Sequence, residues 1–475
     1  MKKFLSRLTS LLPSHTRYEE IRLAEPYQLG IDRVRVPFEG APIRVRLVRE
    51  NLEFQIYPEL SLDPGAIRTP PRYLIFDPSR YYSEISGFIR LTEQGDSFVI
   101  GKQVRRKPVS CNFPENLDMR HISIAHDGDA LIFRKLVSDT EVELSLLADQ
   151  HDAEGFNTQR QEKLRTIRKI FGGPVDLLSP SDALASLRQV NEVLQQESYR
   201  ALDERGQPGG VVSLPDSLVP IIVGDLHAQV NNLLTLLSQN HFMEALEAGE
   251  AALIILGDAV HSELDDDLEE MEDSLLMMDL ILRLKLRFPR QLFYIRGNHD
   301  SFSSNLTKFG IAQCLIWEAV MRKYRGDVYV REMKRFYELL PYLVISDGYI
   351  ACHAAPIKTR FNMDMLINIY RYPGLIKELT SNRIRRRTSP AGYSKMDVRH
   401  FRNTLKVPEN TPFLVSHSPL DRERPLWLEA GGIKNHHIVF SANIPWIGVF
   451  TRMRNHIIPL SYHRENLLHI LNGLK

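Results

Sequence analysis

The second half of the chain contains five apolar strand patterns, and each ends in a short turn that carries a carboxylate, a carboxamide or an imidazole group. In chain order the segments read LVPIIVGDLH, AALIILGDAV, QLFYIRGNHD, YLVISDGYIACHA and PFLVSHSPL. Segments at helical spacing, such as AQVNNLLTLLSQN, lie between them. Buried strands that alternate with helices predict an α/β layered domain.

The polar residues at these strand ends form one constellation. They are Asp225, His227, Asp258, Asn298, His299, His353 and His417. Side chains at the carboxyl ends of neighbouring strands converge on one edge of a sheet. A single Asp or His at a strand end is usually a cap or a turn residue, but five such ends in order are typical of a metal site. Carboxylate, amide and imidazole ligands suit Mn, Fe or Zn. A pair of ions roughly 3.5 to 4 Å apart that share one carboxylate needs about this number and kind of side chains.

The first part of the chain has a different pattern. From about residue 45 to residue 147, short alternating apolar stretches are separated by turn signals, and Asp127-Gly128 predicts a hairpin. Helical patterns follow over Gln159–Phe171 and Ser181–Leu202, and ERGQPGG is typical of a linker. The predicted organisation is an N-terminal tail or extension at 1–44, an all-β sandwich at 45–150, a helical linker at 151–210 and the α/β domain at 211–475.

The bulk composition narrows the classes of function. The 475 residues carry 60 Lys and Arg against 59 Asp and Glu, a formal charge of +1, so nothing global favours nucleic acid or an anionic membrane as a partner. No stretch approaches the roughly 18 consecutive apolar residues of a membrane span. Three widely spaced cysteines, Cys111, Cys314 and Cys352, disfavour a disulfide framework. The N-terminal MKKFLSRLTSLLP is followed by no signal cleavage site, so we predict a cytoplasmic protein, although export without a signal would leave no trace in the sequence.

The five strand-end motifs resemble the signature of the calcineurin-like metallophosphoesterases, which is GDxH, GDxxD, GNH[DE] and two further histidines. The chain has GDLH, GDAVH, GNHD, CHAAP and SHSP in that order. GDLHAQ, RGNHD and LPYLVISDGYIACHAA are also similar to the phosphoprotein phosphatase branch of that superfamily. The resemblance covers about 200 residues, from Ile221 to His417. It implies a layered metallophosphoesterase sandwich, with β-sheets flanked by helices, and makes 211–475 the catalytic domain.

The resemblance also implies a role for each residue of the constellation. One metal ion would be held by Asp225, His227 and Asp258, and the other by Asp258, Asn298, His353 and His417. A hydroxide that bridges two divalent ions, Mn by preference with Fe or Zn as alternatives, would attack a phosphomonoester directly. His299 would protonate the leaving group, and Arg296 would bind the phosphate.

The chain departs from the phosphoprotein phosphatase pattern at one motif. That branch reads GDxVDRG, in which the second Asp supports the catalytic histidine and the Arg contacts phosphate, whereas this chain has His261 and Ser262 there. An imidazole does not stabilise the protonated form of His299 as a carboxylate does. The support could come instead from Asp300 or Glu263, and the missing clamp from one of Arg383, Arg385, Arg386 and Arg387.

A second resemblance concerns the N-terminal β region. FVIGK, RHISIA and VSDTEVEL are similar to the landmarks of the forkhead-associated (FHA) phosphopeptide module. That module has Ser three residues before its His and an Asn near its Thr, but Asp118 precedes His121 here and no Asn lies near Thr140. The missing residues read phosphate in the family, so the sequence favours a β-sandwich used for packing or for docking a protein partner.

Three functional hypotheses follow from the sequence. The first is a metal-dependent phosphatase acting on phosphoproteins, with an N-terminal β domain that helps to select partners. The second is a dinucleoside polyphosphate hydrolase or another small-molecule phosphoesterase, because GNHD followed by HA also suits those enzymes. The third is a non-catalytic scaffold that retains the metal site, which the altered GDAVHS motif encourages and the full ligand set opposes.

Overall fold

The computed structural model describes residues 18–38, 42–58, 62, 72–76, 88–101, 121–147, 151–262, 271–303, 311–387, 390–421, 424–442, 446–453 and 456–475. These residues divide into two compact units, one formed by the chain up to residue 155 and the other by residue 62 together with the chain from residue 156 onward. Within the described ranges, no helix is both long and apolar enough to cross a bilayer.

The first unit is a sandwich of two β-sheets. Its strands are β1 (Glu19–Glu20), β2 (Tyr27–Gln28), β3 (Arg33–Pro37), β4 (Ile43–Leu47), β5 (Leu52–Pro58), β6 (Tyr73–Phe76), β7 (Phe88–Leu91), β8 (Ser97–Ile100), β9 (Ile122–Asp127), β10 (Ala130–Lys135) and β11 (Val142–Leu146). One sheet has the order β1-β3-β10-β9-β8 and the other β2-β11-β4-β5-β6-β7. Val34 and Phe133 from the first sheet share one apolar core with Val45 and Phe54 from the second. The predicted all-β region is therefore confirmed.

The strands of this unit follow the alternation in the sequence. In β3, Val34 and Val36 are buried, and Arg33 and Arg35, which alternate with them, are half-buried, as expected for a strand with one solvated face. The hairpin predicted at Asp127-Gly128 joins β9 to β10. Strands β1 to β3 lie before residue 45, so the structure differs here from the predicted tail at 1–44. β1 has no apolar residue, β2 has one and β3 has two valines, which explains why the sequence pattern did not reveal these strands.

Part of the FHA resemblance lies outside the described residues, namely Lys102, Asp118 and Arg120. Of the remaining landmarks, His121 and Thr140 are buried. The hydroxyl of Thr140 donates to the carbonyl oxygen of Val137 at 3.1 Å, an arrangement that closes a local turn. The FHA-like identity of this unit stays a prediction.

The second unit contains two further sheets. Its strands are β12 (Arg200–Leu202), β13 (Pro208–Ser213), β14 (Val219–Val223), β15 (Ala251–Ile255), β16 (Leu292–Tyr294), β17 (Leu343–Ser346), β18 (Tyr349–Cys352), β19 (Phe413–Val415), β20 (Leu426–Trp427), β21 (His436–Val439), β22 (Trp446–Met453) and β23 (His456–His463). The seven-stranded sheet has the order β12-β13-β17-β18-β19-β21-β20, and the five-stranded sheet has the order β16-β15-β14-β22-β23.

Helices cover the outer faces of both sheets. The α-helices of the described chain are α1 (His151–Phe171), α2 (Pro180–Gln195), α3 (Val230–Leu237), α4 (Phe242–Ala248), α5 (Glu272–Arg287), α6 (Gln313–Arg325), α7 (Asp327–Leu339), α8 (Met363–Ile367), α9 (Pro373–Ser381), α10 (Lys395–Thr404) and α11 (Leu467–Gly473). One apolar core packs the helices α1 through α7, together with α11, against the five-stranded sheet. Another packs α8, α9 and α10 against the seven-stranded sheet.

The two sheets also pack against each other, which makes the unit a layered sandwich. Strand β14 shows the arrangement: Ile222 faces the core between the sheets, and Ile221 and Val223 face the helices. A strand that is buried on both faces reads as a continuous apolar run. The predicted α/β layered sandwich is confirmed.

The segment predicted as a helical linker is built into this unit. Leu164 of α1 and Leu187 of α2 lie fully buried in the helix-side core. ERGQPGG forms a turn from which β13 enters the seven-stranded sheet, where it pairs with β17. The apolar faces of α1 and α2 need partners in water. For α2 these partners are the helices α5, α6 and α7.

Candidate metal centre

Three of the predicted ligands lie at one edge of the five-stranded sheet. Strands β14, β15 and β16 are parallel, with Val223 aligned to Ile255 and Ile255 aligned to Tyr294. Asp225, Asp258 and Asn298 follow these strand ends. The edge therefore collects one polar side chain from each of three neighbouring strands, as the sequence predicts.

The other two strand-end histidines come from the seven-stranded sheet. Strands β18 and β19 are also parallel, with Cys352 aligned to Val415. His353 directly follows β18, His417 lies two residues after β19, and both reach the same cluster. The candidate metal centre, defined as Asp225, His227, Asp258, Asn298, His353 and His417, thus lies where the edges of the two packed sheets meet.

Tight turns bring the ligands together. Asp258 has φ 48° and His417 has φ 64°, a left-handed conformation that is uncommon for residues with a Cβ and is often held at functional sites. A Cβ on Gly297 would overlap the Asp258 carboxylate, so the glycine of GNHD is required for the close approach of the two turns.

Four ligand side chains converge directly. One ligand atom from each of Asp225, Asp258, His353 and His417 lies within 4.8 Å of all the others. His353 Nε2 is 3.2 Å from Asp258 Oδ2 and 3.2 Å from His417 Nδ1. His353 Nδ1 donates to the carbonyl oxygen of Leu256 at 2.6 Å, which turns Nε2 toward the cluster.

His227 and Asn298 complete the set. His227 Nδ1 donates to the carbonyl oxygen of His261 at 3.0 Å, and its Nε2 lies 3.5 Å from Asp225 Oδ2. One terminal atom of the Asn298 carboxamide lies 2.9 Å from each of Asp258 Oδ2, His353 Nε2 and His417 Nδ1. The structure therefore brings together all six residues of the predicted ligand set.

The electrostatics of the pocket favour positive charge at its centre. Burial raises the pKa of Asp225 and of Asp258, but the neighbouring histidines outweigh it: His353 and His227 lower the pKa of Asp225, and His353 and His299 lower that of Asp258 well below its ordinary value. Burial lowers the pKa of His353, but Asp258 and Asp225 together raise it to about 9. Both carboxylates are therefore ionised at neutral pH.

This chemistry fits divalent cations. Both carboxylates are 1% exposed, and the ion-pair partners that the described residues offer them are histidines. Two buried negative charges without a permanent cation are costly unless an ion neutralises them. Burial and the neighbouring His353 lower the pKa of His417 well below its ordinary value, so its imidazole is neutral, which is the form that binds metals.

Comparison with known proteins identifies this arrangement. Residues 220–443 match the family model described as calcineurin-like phosphoesterase. All six ligands lie within that span. This segment is a calcineurin-like phosphoesterase domain. The resemblance predicted from the strand-end motifs is confirmed, and the family implies divalent metal ions at the centre.

Several curated proteins are similar over part of the chain. The PP2A-like serine/threonine-protein phosphatase PPG1 of Candida albicans is 28% identical over 183 residues, which are 38% of this chain and 39% of that protein. The serine/threonine-protein phosphatase 4 catalytic subunit of Saccharomyces cerevisiae is 30% identical over 173 residues, 36% of this chain and 49% of that protein. The chain thus spans between two fifths and half of the length of these relatives.

Solved structures resemble the chain more distantly. A protein serine/threonine phosphatase from Saccharomyces cerevisiae, described as similar to human phosphatase PP5, has 16% identity and a TM-score of 0.44, covering 60% of this chain and 90% of that chain. The cold-active protein-tyrosine phosphatase of a Shewanella psychrophile has 12% identity and a TM-score of 0.37, covering 53% and 82%.

The predicted acid of the phosphoesterase domain, His299, contacts His261. The two Nδ1 atoms are 2.6 Å apart, and the rings meet edge to face with centroids 4.8 Å apart. The backbone N–H of His299 donates to Asp258 Oδ1 at 2.8 Å. Burial and the neighbouring His299 lower the pKa of His261 well below its ordinary value. His261 is therefore a neutral hydrogen-bond partner of His299.

The carboxylate of Asp300, one of the two alternative supports for His299, has other partners. Its Oδ1 accepts from the hydroxyl of Tyr294 at 2.8 Å, and its Oδ2 accepts from the backbone N–H groups of Gly297 and Asp258 at 2.7 and 3.2 Å. Asp300 therefore holds two ligand-bearing turns in place. The other alternative, Glu263, lies outside the described residues.

Arg296 lies beside the centre, at the start of the GNHD turn. Its Nη1 donates to the hydroxyl of Tyr342 at 2.8 Å, and it lines a cavity of about 550 Å³ that also contains Phe302 and Lys334. The guanidinium is half-buried. Tyr342 therefore orients the guanidinium of Arg296, a residue that lines this cavity.

The arginines of the basic run that precedes β19 lie in different environments. The guanidinium of Arg386 donates to the carbonyl oxygens of Ser418, Pro419 and Leu420 at 3.4, 3.0 and 3.3 Å, so it pins the loop after His417. Arg383 is exposed, and its charge helps to lower the pKa of His417. Of this run, Arg383 is therefore the candidate for an electrostatic effect on His417.

Sequence reasoning missed one supporting residue. The Ser416 hydroxyl donates to Asp225 Oδ1, and Ser416 Oγ accepts from the Asp225 backbone N–H at 2.9 Å. Ser416 thereby ties the β19 turn in one sheet to the β14 turn in the other. Its position beside His417 in SHSP was the only available signal, because the partner lies 191 residues away.

Proposed function

We propose that the chain is a metal-dependent phosphoprotein phosphatase that hydrolyses phosphomonoesters. The observation that carries this proposal is the convergence of two buried carboxylates, three imidazoles and one carboxamide at the sheet edges of a calcineurin-like phosphoesterase domain. The curated relatives that match this part of the chain are named serine/threonine-protein phosphatases, which supports a phosphoprotein substrate.

Two divalent ions fit the donor set. Asp225, His227 and Asp258 would hold one, and Asp258, Asn298, His353 and His417 the other. When bound, such ions supply an activated water nucleophile and positive charge for the phosphoryl oxygens. Mn suits oxygen and imidazole donors of this kind, with Fe or Zn as alternatives.

The chain's own residues supply the remaining chemistry. His299 lies next to a ligand and is partly exposed, so it can give a proton to the leaving oxygen. The hydrogen bond to neutral His261 fixes the orientation of its ring without stabilising its charged form. Arg296, oriented by Tyr342, would bind the phosphate through its planar fork.

Arg383 is the candidate for the second phosphate contact. Its electrostatic influence on His417 supports this role, since a guanidinium near the metal centre can pair with a phosphoryl oxygen. Arg383→Ala should raise KM for a phosphopeptide by roughly tenfold. The same substitution at Arg385, an exposed neighbour, is the matched control. An equal effect of both substitutions would remove Arg383 from the site.

A substrate panel tests the function. Purified protein loaded with Mn is assayed on peptides carrying phosphoserine, phosphothreonine or phosphotyrosine and on a dinucleoside tetraphosphate. The proposal expects phosphate release from at least one peptide, and Asp225→Asn should abolish it. Preferential cleavage of the dinucleotide would support a small-molecule phosphoesterase. Inactivity on every phosphoester would support the hypothesis of a non-catalytic scaffold.

A further inference from the structure

A second group of metal-binding side chains lies beside the candidate metal centre. It consists of His261, His299 and Cys314, with one ligand atom of each within 4.8 Å of the other two. His261 and Cys314 are both 0% exposed, and His299 is partly exposed. An ion could therefore reach the group from the side of His299.

Three separate segments build this group. His261 lies in the turn after β15, His299 in the turn after β16, and Cys314 in the first turn of α6. The Sγ atom of Cys314 is 4.0 Å from the carbonyl oxygen of His299. The ring of Trp317, one helical turn further along α6, lies 6.4 Å from the ring of His261 and closes the inner side.

One ring nitrogen in this group lacks a hydrogen-bond partner among the described residues. Within the described residues, His261 Nε2 is fully buried and has no hydrogen-bond partner. Buried polar atoms are usually paired, so the contacts of the described residues leave this ring nitrogen unexplained. A metal ion is a ligand that all three side chains could share.

The donor set selects a particular kind of ion. Two imidazoles and one thiolate leave the fourth position of a tetrahedral ion open, a pattern found in zinc sites. Sulfur disfavours Mn and Mg and favours softer ions such as Zn. Burial raises the pKa of the Cys314 thiol to about 12, so the ion would displace one proton from sulfur on binding.

We propose that His261, His299 and Cys314 form a Zn²⁺ site whose occupation inhibits the enzyme. The inhibitory part rests on the function proposed above. If zinc binds Nδ1 of His299, the hydrogen bond from that atom to His261 is lost. The ring then cannot be protonated on both nitrogens, so His299 cannot form the imidazolium that would protonate the leaving oxygen. Zinc here acts separately from the ions of the metal centre, whose ligands include no sulfur.

Cobalt tests the site without any assay of activity. Co²⁺ bound by a thiolate gives a sulfur-to-cobalt charge-transfer band in the near ultraviolet, which the sulfur-free metal centre cannot produce. Wild-type protein titrated with Co²⁺ should show this band. Cys314→Ser should remove it, His261→Asn should weaken Co²⁺ binding at this band by about tenfold or more, and Cys111→Ser should leave it intact.

Inhibition is measured on the Mn-loaded enzyme with added Zn²⁺, as a ratio to the zinc-free rate of the same variant. The half-inhibitory zinc concentration should rise at least about tenfold in Cys314→Ser and in His261→Asn, and it should not change in Cys111→Ser. The melting temperature of each variant with Mn shows that it is folded.

The outcomes are distinct. Absence of the band in the wild type, or its persistence in Cys314→Ser, overturns the site. A band that depends on Cys314, together with zinc inhibition that does not, overturns the inhibitory role. A Cys314-dependent band in a protein inactive on every phosphoester supports the metal site and rejects the phosphatase function.

Discussion

At the scale of the residue, His261 is a position where this chain departs from the phosphoprotein phosphatase motif. The phosphoprotein phosphatase pattern has a carboxylate there, and the structure places the His261 ring 2.6 Å, nitrogen to nitrogen, from His299. A neutral imidazole orients the acid but contributes little to the stability of its protonated form. In the proposed mechanism, His261 therefore orients His299 without strengthening it as an acid.

His261→Asp should increase turnover on substrates with poor leaving groups. A carboxylate beside His299 stabilises the imidazolium, so we expect kcat on a phosphoserine peptide to rise roughly tenfold. Turnover of p-nitrophenyl phosphate should change little, because its activated leaving group needs little protonation. Steady-state kinetics on both substrates measure the effect.

The matched control for this prediction is His261→Asn, which has a similar shape and no charge. It should not raise turnover on either substrate. A similar rise on both substrates, or a rise in the Asn variant, would show that charge on residue 261 does not act through leaving-group protonation.

The sequence predicts individual ligands better than it predicts their neighbours. The convergence of Asp225, Asp258 and Asn298 could be predicted because each follows a buried strand through a short turn. The contact between His261 and His299, and the approach of Cys314 to both, depend on how three separate segments pack. No local pattern records that packing, and Cys314 in particular belongs to an amphipathic helix with no motif of its own.

At the scale of the element, the short turns after the strands determine the geometry of the metal centre. Gly297 lies so close to Asp258 that a Cβ would overlap its carboxylate. Asp300 ties the same two turns together through the backbone N–H groups of Gly297 and Asp258. The turns therefore behave as one unit, and a change in one displaces the ligand on the other.

Gly297→Ala should weaken metal binding without changing any ligand. The added methyl group pushes the Asp258 carboxylate away, and we expect Mn affinity to fall by about tenfold or more. A Mn titration of the melting temperature measures this loss. Gly374→Ala in α9 is the control, because a Cβ there meets nothing within 4 Å. Equal Mn affinity in both variants would contradict the close-approach argument.

The docking of α1 should make stability depend on pH. Lys163 lies in α1 and is buried, which lowers its pKa from 10.5 to about 8 even though Glu244 opposes the shift. Its ammonium group donates to the carbonyl oxygen of Asn240. Between these two pKa values the unfolded chain binds more protons than the folded chain, so the free energy of unfolding should rise with pH in this window.

Lys163→Met isolates that contribution. From pH 8 to pH 10 the wild type should gain on the order of 2 kcal/mol of stability relative to the variant, as measured by urea unfolding at both values. Lys169→Met, at an exposed position of the same helix, should show a much smaller change. If the wild type gains nothing relative to Lys163→Met, burial does not lower the pKa of Lys163 in the folded chain.

The helices and strands also show which features local sequence patterns do not predict. Alternation correctly indicated the β-sandwich and the strand-turn-helix order, because both depend on local periodicity. It assigned α1 and α2 to a linker, whereas both pack into the core of the second unit. An amphipathic helix shows that it needs a partner, but its sequence does not show which partner it has.

At the scale of the whole molecule, the candidate metal centre joins residues from the two sheets of the second unit. Its ligands come from the ends of β14, β15 and β16 in one sheet and of β18 and β19 in the other. An ion held there links elements that are distant in sequence and binds the folded state alone. Metal binding should therefore stabilise this unit and leave any transition of the first unit unchanged.

Asp258→Asn should lower stability, and by more when metal is bound. With a chelator present, the variant should melt below the wild type, because His353 and His299 outweigh burial and lower the pKa of Asp258 well below its ordinary value, so the charged carboxylate stabilises the fold. With Mn at about a hundred times its dissociation constant, the wild type should gain about 2.7 kcal/mol and the difference between the two proteins should widen. Calorimetry in both conditions measures the two differences. Asp176→Asn, at an exposed site of the same unit, should follow the wild type in both, and a variant at Asp258 that still gains stability from Mn would show that the ions bind elsewhere.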